Sequence, residues 1–400
     1  MYNIRKVTDD ITWIGASDRR LALFENIFPI SRGVSYNSYI LVDEQTVLFD
    51  TVDASVAGQF FENLEAVLEG RTLDYLIVNH MEPDHCAMIG DIVRRYPDVK
   101  IVGNTKTFGM MNQFFGTDFA ERSIVVKEGD TLSAGKHTLH FVMAPMVHWP
   151  EAMVTYDDVD KVLFSADGFG SFGALNGNIF ADEVDFDRDW LDDARRYYTN
   201  IVGKYGASVQ TLLKKAAGLD IAMICPLHGP VWRENLPYIL KKYQKWSTYE
   251  AEDQAVVIMY ASMYGNTASA ADALAGALAV RSVKKIAVYD VSNTHVSELI
   301  SEIFRASHLV FAVPTYNAGI YPVMENLLSD MKALAVQKKT VAVMENGTWA
   351  PTAAKQVKEK LGEMKDMTIL DAGLTIKSAM HAGQKAELDA LADEIVKSMM

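Results

Sequence analysis

The sequence predicts two domains in tandem: a sheet-rich first domain whose strands end on metal-type ligands, and a second domain that is a doubly wound parallel α/β sheet. Three observations carry this. The chain has 400 residues, more than one hydrophobic core ordinarily supports. Its pattern changes across the polar stretch "KWSTYEAEDQ", 245–254, the candidate linker. After it, strand and helix patterns alternate five times, which indicates a parallel sheet with helices on both faces.

The first domain, expected over 1–250, reads as short strands. "NSYILVDEQTVLFDTVD" predicts a hairpin turning at Asp43, Glu44 and Gln45. "LDYLIVNH" is an apolar run closing on His80, and "VKIVGN" is a strand after the helix-like "AMIGDIVRRYP". "HTLHFVMAPMVH", "KVLFSAD" and "DIAMICPLHGP" follow, closing on His148, Asp167 and His228. Rigid strand ends are where sheet proteins hold their sites.

The second domain, expected over 254–400, opens with "AVVIMYAS" and the helix "ASAADALAGALA". "KKIAVYDV", "HLVFAVPT", "KTVAVMEN" and "MTILDAGLTI" supply the other strands, each followed by a helix. Ligands of such sheets sit outside the carboxyl ends of the strands. The first loop there is "SMYGNT": Ser262, Met263, Tyr264, Gly265, Asn266 and Thr267. It offers hydroxyls, an amide and a helix N-terminus, which favour a phosphate. It has no Lys or Arg, unlike a P-loop. The second loop runs from Pro314 through Thr315, Tyr316, Asn317 and Gly319, and the third holds Asn346, Gly347, Thr348 and Trp349. Tyr316 and Trp349 offer aromatic faces to a flat ring system such as a flavin.

Composition narrows the function. Apolar residues are 49% and charged residues 22%, ordinary for a folded globular chain. No apolar run approaches the roughly 18–20 residues of a membrane span, and "MYNIRKVTDD" lacks the apolar segment of a signal peptide, so the expected compartment is cytoplasmic. The net charge of −14 argues against nucleic acid. Only Cys86 and Cys225 are present, which excludes a disulfide framework and a four-Cys metal site, and both are expected as small core residues.

The segment "NHMEPDHCA" packs His80, Glu82, Asp84 and His85 together. Alternation beyond the strand end is expected to aim His80, Glu82 and Asp84 at a common point, with His85 reaching it from the next helix. With His148, Asp167 and His228 this makes seven candidate ligands, too many for one tetrahedral zinc but suited to two metals sharing a carboxylate. Zinc, iron and a metal-free polar turn all remain open at this point, because zinc also accepts Glu. Asp84 has the simpler reading of a helix N-cap. His137 and His140 are expected on a solvated strand face, and His295, His308 and His381 are given no ligand role. The acidic run "ADEVDFDRDWLDD" reads as a solvated loop and helix start.

On "SMYGNT" and the two loops after it, the second domain resembles the flavodoxin family. That resemblance implies FMN, its phosphate on Ser262, Tyr264, Gly265, Asn266 and Thr267 and its ring between the later loops. The third loop departs from the Gly-rich segment of many flavodoxins. The ligand pattern resembles the αββα sandwich of the metallo-β-lactamase fold, with Glu82 where its hydrolases carry a second His. Together, on "HMEPDH", "HWPEA", "FSADGFG", "LHGP", "GVSYNSY" and the FMN loops, the chain resembles the flavodiiron proteins. By that resemblance His80, Glu82 and His148 bind one iron, Asp84, His85 and His228 the other, and Asp167 bridges them. In some relatives solvent replaces the His matching His85. The resemblance implies reduction of dioxygen to water or of nitric oxide to nitrous oxide. It also implies a head-to-tail homodimer or dimer of dimers, and electrons from a separate donor, rubredoxin or in some relatives a deazaflavin. Trp149 and Tyr198 are candidate pocket walls. The rival readings are a zinc-dependent hydrolase with an attached flavodoxin domain, and an FMN electron carrier without substrate chemistry.

Overall fold

The computed structural model describes residues 2–400. The chain divides into two compact units: Met1–Tyr198 with Ala207–Tyr243, and Thr199–Gly206 with Gln244–Met400. The polar stretch expected as a linker is shorter in the fold. Lys245 to Ser247 form the last turn of helix Leu236–Ser247, and Trp246 in that turn is fully buried. Among the described residues no helix is long and apolar enough to cross a membrane.

The first unit is built on two sheets. One orders its seven strands Arg5–Lys6, Ile11–Trp13, Tyr39–Val42, Thr46–Phe49, Tyr75–Ile77, Lys100–Gly103 and Ser123–Val125. The hairpin of Tyr39–Val42 and Thr46–Phe49 is antiparallel, with Val42 opposite Thr46. The other sheet orders Thr131–Ser133, Thr138–Met143, Met153–Asp157, Val162–Phe164 and Met223–Cys225. One core joins their inner faces. At its centre Phe49 of one sheet stacks on Phe164 of the other, ring centroids 3.7 Å apart and planes 11° apart. Fully burying such rings contributes about 1.5–3 kcal/mol each before ordering costs. Tyr39 fixes the register of this contact, since its hydroxyl donates to the Pro226 carbonyl at 2.7 Å.

Strands just past this core are hydrophobic on both faces and leave their loops at one end. His80, Asp167 and His228 each stand shortly beyond a strand end, and His148 lies farther along the loop after Thr138–Met143. Met153 donates to the Asn79 carbonyl at 3.0 Å, tying the two sheets together at this end.

The second unit carries a parallel sheet ordered Ile286–Asp290, Asp253–Tyr260, Ala306–Tyr316, Thr340–Asn346 and Thr368–Ile376. Helices flank it, and one face is packed by Ala270, Ala271, Leu274 and Leu278 of helix Asn266–Val280 and by Leu388, Leu391 and Ile395 of helix Lys385–Ser398. The order reverses beside the first strand, Asp253–Tyr260, so its carboxyl end is a topological switch point. Thr199–Gly206 packs with this unit: Asn200 Nδ2 donates to the Ser297 carbonyl at 3.0 Å, and the Tyr249 hydroxyl to the Gly203 carbonyl at 2.9 Å.

Candidate metal centre and flavin cleft

The loop after Tyr75–Ile77 is pinned before it reaches its ligands. The buried Asp50 carboxylate accepts from the Asn79 N–H at 2.7 Å, the Asn79 side chain at 2.8 Å and the His80 N–H at 3.1 Å. Burial pushes its carboxyl up to about 6, against these hydrogen bonds. Pro83 then starts a short helix, Pro83–Cys86, with Glu82 at its N-cap. Proline favours that first helical position. The expected alternation is therefore broken. Glu82 stays with His80, while the helical turn carries Asp84 and His85 to a different point, and Glu82 rather than Asp84 takes the cap.

The seven predicted residues meet as two adjoining groups: His80, Glu82, His148 and Asp167, and Asp84, His85 and His228. In the first, Glu82 Oε2 lies 3.3 Å from His80 Nε2 and 3.0 Å from His148 Nε2. Asp167 Oδ2 lies 3.3 Å and 3.2 Å from the same two nitrogens. In the second, Asp84 Oδ2 lies 3.4 Å from His85 Nε2 and 3.3 Å from His228 Nε2. The other oxygen of Asp167, Oδ1, lies 3.2 Å from His85 Nε2. Asp167 thus offers one oxygen to each group.

These separations fit metal coordination. For bonds of about 2.1 Å, typical of imidazole and carboxylate ligands, donors 3.0–3.4 Å apart subtend about 90–110° at the metal. The His85 and His228 Nε2 atoms lie only 3.0 Å apart. Both oxygens of Asp84 and Oδ1 of Asp167 are buried with no hydrogen-bond partner. The buried carboxylates favour protons on the histidines. Burial opposes the His148 cation, but hydrogen bonds to Asp167 and Glu82 outweigh it and push the ring up to about 9. Burial is likewise overcome at His80, by the Asp167 charge above all. Metal binding would expel these protons.

The outer nitrogens of two histidines are fixed. His80 Nδ1 meets Glu151 Oε1 at 2.8 Å, and His228 Nδ1 meets the Ser35 carbonyl at 2.7 Å. Such partners orient ligating histidines and raise their basicity. His85 Nδ1 is buried without a partner, so of these three rings it is the one left unoriented. "GVSYNSY" explains the Ser35 contact. Asn37 Nδ2 donates to the Pro226 and Gly229 carbonyls at 2.9 Å each, and Ser35 Oγ accepts from Gly229 N at 2.7 Å. Gly229 has φ +74°, and a Cβ there would meet Ser171 Cβ at 2.8 Å, so only glycine fits beside His228.

The walls are aromatic. The Trp149 ring stands edge-on to His80, centroids 5.4 Å apart. Tyr198, the other expected wall, packs instead on Tyr243 at 5.0 Å. Its neighbour Tyr197 faces the site, with its ring 5.4 Å from His228 and 5.2 Å from Phe172. The Tyr197 hydroxyl is buried without a hydrogen-bond partner. Burial and the Asp167, Asp84 and Glu82 charges push it well above the ordinary tyrosine range, so it stays protonated. Glu25, which sequence reasoning did not single out, is an exposed residue whose carboxyl turns inward. Its carboxyl is desolvated against Glu82 and pushed up to about 8. Residual exposure at Glu82, Asp84 and His148 marks this side as the way in.

Two expectations nearby need correction. His137 is fully buried rather than on a solvated face, because residues three apart on a strand point oppositely; His140, the other of the pair, is half-buried. Cys86 and Cys225 are buried as expected. The acidic run is not simply solvated, since Asp182 pairs with Arg233 at 2.8 Å and Glu183 with Arg5 at 2.8 Å.

In the second unit the three predicted loops enclose an open cleft of about 520 Å³, within the usual range for ligand pockets. Ser262, Met263, Tyr264, Asn266 and Thr267 line it, with Pro314, Thr315, Tyr316 and Asn317 from the second loop and Asn346 to Trp349 from the third. Gly265 caps helix Asn266–Val280 at φ +89°, with no side-chain cap. The first-turn N–H groups are left for a ligand. Asn317 and Ala318 both take positive φ, a turn that brings Gly319 opposite Tyr316. The third loop is braced by Asn346, whose Nδ2 donates to Thr267 Oγ1 at 3.3 Å and to the Ser378 carbonyl at 3.0 Å. Ser378 also lines the cleft and carried no sequence signal. Tyr264 and Trp349 are 92% and 91% exposed, so their faces are free to cover a planar ring. Neutral donors, an open helix N-terminus and exposed aromatics fit FMN.

A family model described as "ODP family beta lactamase" matches residues 34–229, and one described as "Flavodoxin" matches 258–394. The anaerobic nitric oxide reductase flavorubredoxin of Klebsiella pneumoniae is 31% identical over 391 residues, covering 96% of this chain and 78% of that protein. The protein of the same name from Salmonella paratyphi B is 32% identical, covering 96% and 79%. Among solved structures, the rubredoxin oxygen:oxidoreductase of Desulfovibrio gigas superposes with TM-score 0.91 at 29% identity, covering 99% of this chain and 98% of that one. A Thermotoga maritima flavoprotein gives 0.90 at 27%, with the same coverage. The flavodiiron protein of Giardia intestinalis gives 0.93 at 24% over 100% and 98%, a likeness of fold. With both domains matched in order and the relatives aligned over nearly its whole length, this chain belongs to the flavodiiron protein family.

Proposed function

We propose that this protein is an oxidoreductase that passes electrons from FMN to a pair of iron ions and there reduces dioxygen to water, nitric oxide to nitrous oxide, or both. One observation carries the reading: two His–carboxylate groups share the two oxygens of Asp167 in a chain that also builds a cleft from the three flavodoxin-like loops. The relatives are named a nitric oxide reductase and a rubredoxin oxygen:oxidoreductase, which supports these substrates and a rubredoxin-type donor. A zinc hydrolase has no use for the flavin cleft, and an FMN carrier has none for the seven clustered residues.

His80, Glu82 and His148 would hold one ion, Asp84, His85 and His228 the other, and Asp167 both. Two ferrous ions and a reduced FMN would supply four electrons, which with four protons take dioxygen to two waters; two electrons and two protons convert two nitric oxide molecules to nitrous oxide and water. The chain's own part is to orient, shield and donate. Glu151 and the Ser35 carbonyl fix the His80 and His228 rings. Trp149 and Phe24 would shield the His80 and His228 rings, with Phe172 packed behind Phe24 and Tyr197. The Tyr197 hydroxyl, protonated and without a hydrogen-bond partner among the described residues, would be free to donate a hydrogen bond beside His228. Homodimerisation and a cytoplasmic location belong to the same proposal.

Anaerobic rapid mixing of the reduced, iron-loaded protein with each gas tests this. Oxidation no faster than that of free reduced FMN refutes it. Asp167→Ala should abolish turnover with either gas while FMN stays bound, and retained turnover counts against the shared carboxylate.

A further inference from the structure

A second His–carboxylate cluster lies at the opposite end of strand Met153–Asp157 from the seven residues above. It joins three turns. Asp10 sits between strands Arg5–Lys6 and Ile11–Trp13, His137 directly before Thr138–Met143, and Asp160 in the turn before Val162–Phe164. His137 is fully buried. One donor atom from each of Asp10, His137 and Asp160 lies within 4.8 Å of the others.

The arrangement around the ring is that of a metal ligand rather than of a simple ion pair. His137 Nδ1 meets Asp157 Oδ1 at 2.9 Å. Asp157 is itself fully buried, and its other oxygen accepts from the Asp160 N–H at 2.9 Å. A carboxylate on one nitrogen fixes the tautomer and turns the other outward, as partners of zinc-bound histidines do. The outward Nε2 lies 3.1 Å from Asp10 Oδ2. On the same cluster Asp160 Oδ2 is buried with no hydrogen-bond partner among the described residues. A buried carboxylate oxygen left unpaired is costly, and a cation between it, Nε2 and Asp10 would satisfy it. Lys136 Nζ reaches Asp10 Oδ2 at 2.9 Å from a side chain 59% exposed. That ammonium can swing into solvent.

We propose that Asp10, His137 and Asp160 form a third metal site, for one divalent transition ion of the zinc type, distinct from the pair that serves the reaction. One imidazole and two carboxylates, with water completing the shell, suit such an ion. Binding exchanges the Lys136 ammonium, and any proton on His137 Nε2, for the metal. The site clasps turns from both sheets and carries no chemistry. It does not depend on the redox reading of the seven-residue centre.

The test uses the iron- and FMN-loaded protein, dialysed against zinc and analysed for both metals. The expected result is one further zinc per chain with no loss of iron, and a zinc-dependent rise in melting temperature. Asp160→Asn should weaken this uptake at least tenfold and abolish the melting shift, leaving iron content and turnover unchanged. His137→Gln should do the same. Zinc uptake matched by iron loss, uptake undiminished in Asp160→Asn, or no uptake at all would each overturn the proposal.

Discussion

Glu151→Gln isolates what a charge behind a ligand contributes. The wild-type carboxylate is 1% exposed and accepts from His80 Nδ1 and from the Met81 N–H, both at 2.8 Å. Burial works against its charge, but the hydrogen bond to His80 prevails and holds the carboxyl below its usual range. A glutamine carbonyl keeps both contacts, so the number of hydrogen bonds is conserved and only the negative charge behind the imidazole is lost. Loss of such a partner weakens metal affinity by about 10–100-fold, equivalent to about 1.4–2.7 kcal/mol. The new amide would occupy the place of Oε2, which is already buried and unpartnered. A buried donor there costs the fold about 1–3 kcal/mol more. Glu151→Ala instead strands two buried N–H donors, about 2–6 kcal/mol in all, enough to threaten folding. Chelator competition on iron-loaded protein reads the affinity, and urea titration of the metal-free protein reads the fold. Equal iron affinity in wild type and Glu151→Gln would refute the argument that this carboxylate tunes His80.

Tyr197→Phe removes a buried hydroxyl that has no partner, so its melting temperature should be unchanged or slightly higher; a fall in turnover at that unchanged stability would place the hydroxyl in the reaction, and unchanged turnover would remove it. His137 is raised above its ordinary 6.5, where burial is outweighed by hydrogen bonds to Asp10 and Asp157, with Asp160 adding charge. The stability this cation contributes is complete below about pH 6.5 and is lost as pH rises through its folded value. Urea midpoints of chelator-treated protein should therefore fall above that pH, and a His137→Gln profile with the same slope would exclude this origin. Gly265→Ala should strain the turn that opens helix Asn266–Val280 and so weaken FMN binding. A Cβ there meets nothing within 4 Å, so its cost is the positive φ alone, about 1–2 kcal/mol. Fluorescence titration with FMN measures it, and wild-type affinity would contradict it.

The residues that sequence reasoning located share a property: each is announced by its neighbours along the chain. His80, Asp167 and His228 follow apolar runs, and "SMYGNT" sits between a strand and a helix, so local pattern sufficed. What escaped was either phase or distance. Phase misplaced Asp84, because Pro83 turned an expected extended segment into a helical turn. It also exchanged Tyr198 for Tyr197, since Tyr198 opens an irregular stretch of helix and faces Tyr243. The same kind of error put His137 beside His140, although a period of two places residues three apart on opposite faces. Distance hid the rest. Ser35 orients His228 across 193 residues of chain, and Glu151 holds His80 across 71. Ser35 lies in "GVSYNSY" and Glu151 in "HWPEA", but neither motif says which distant ligand its residue orients. Yet these partners set the basicity and orientation of the ligands, and so separate a cluster that merely binds metal from one tuned to use it. The ligand types are thus written locally, while their tuning is a property of the fold.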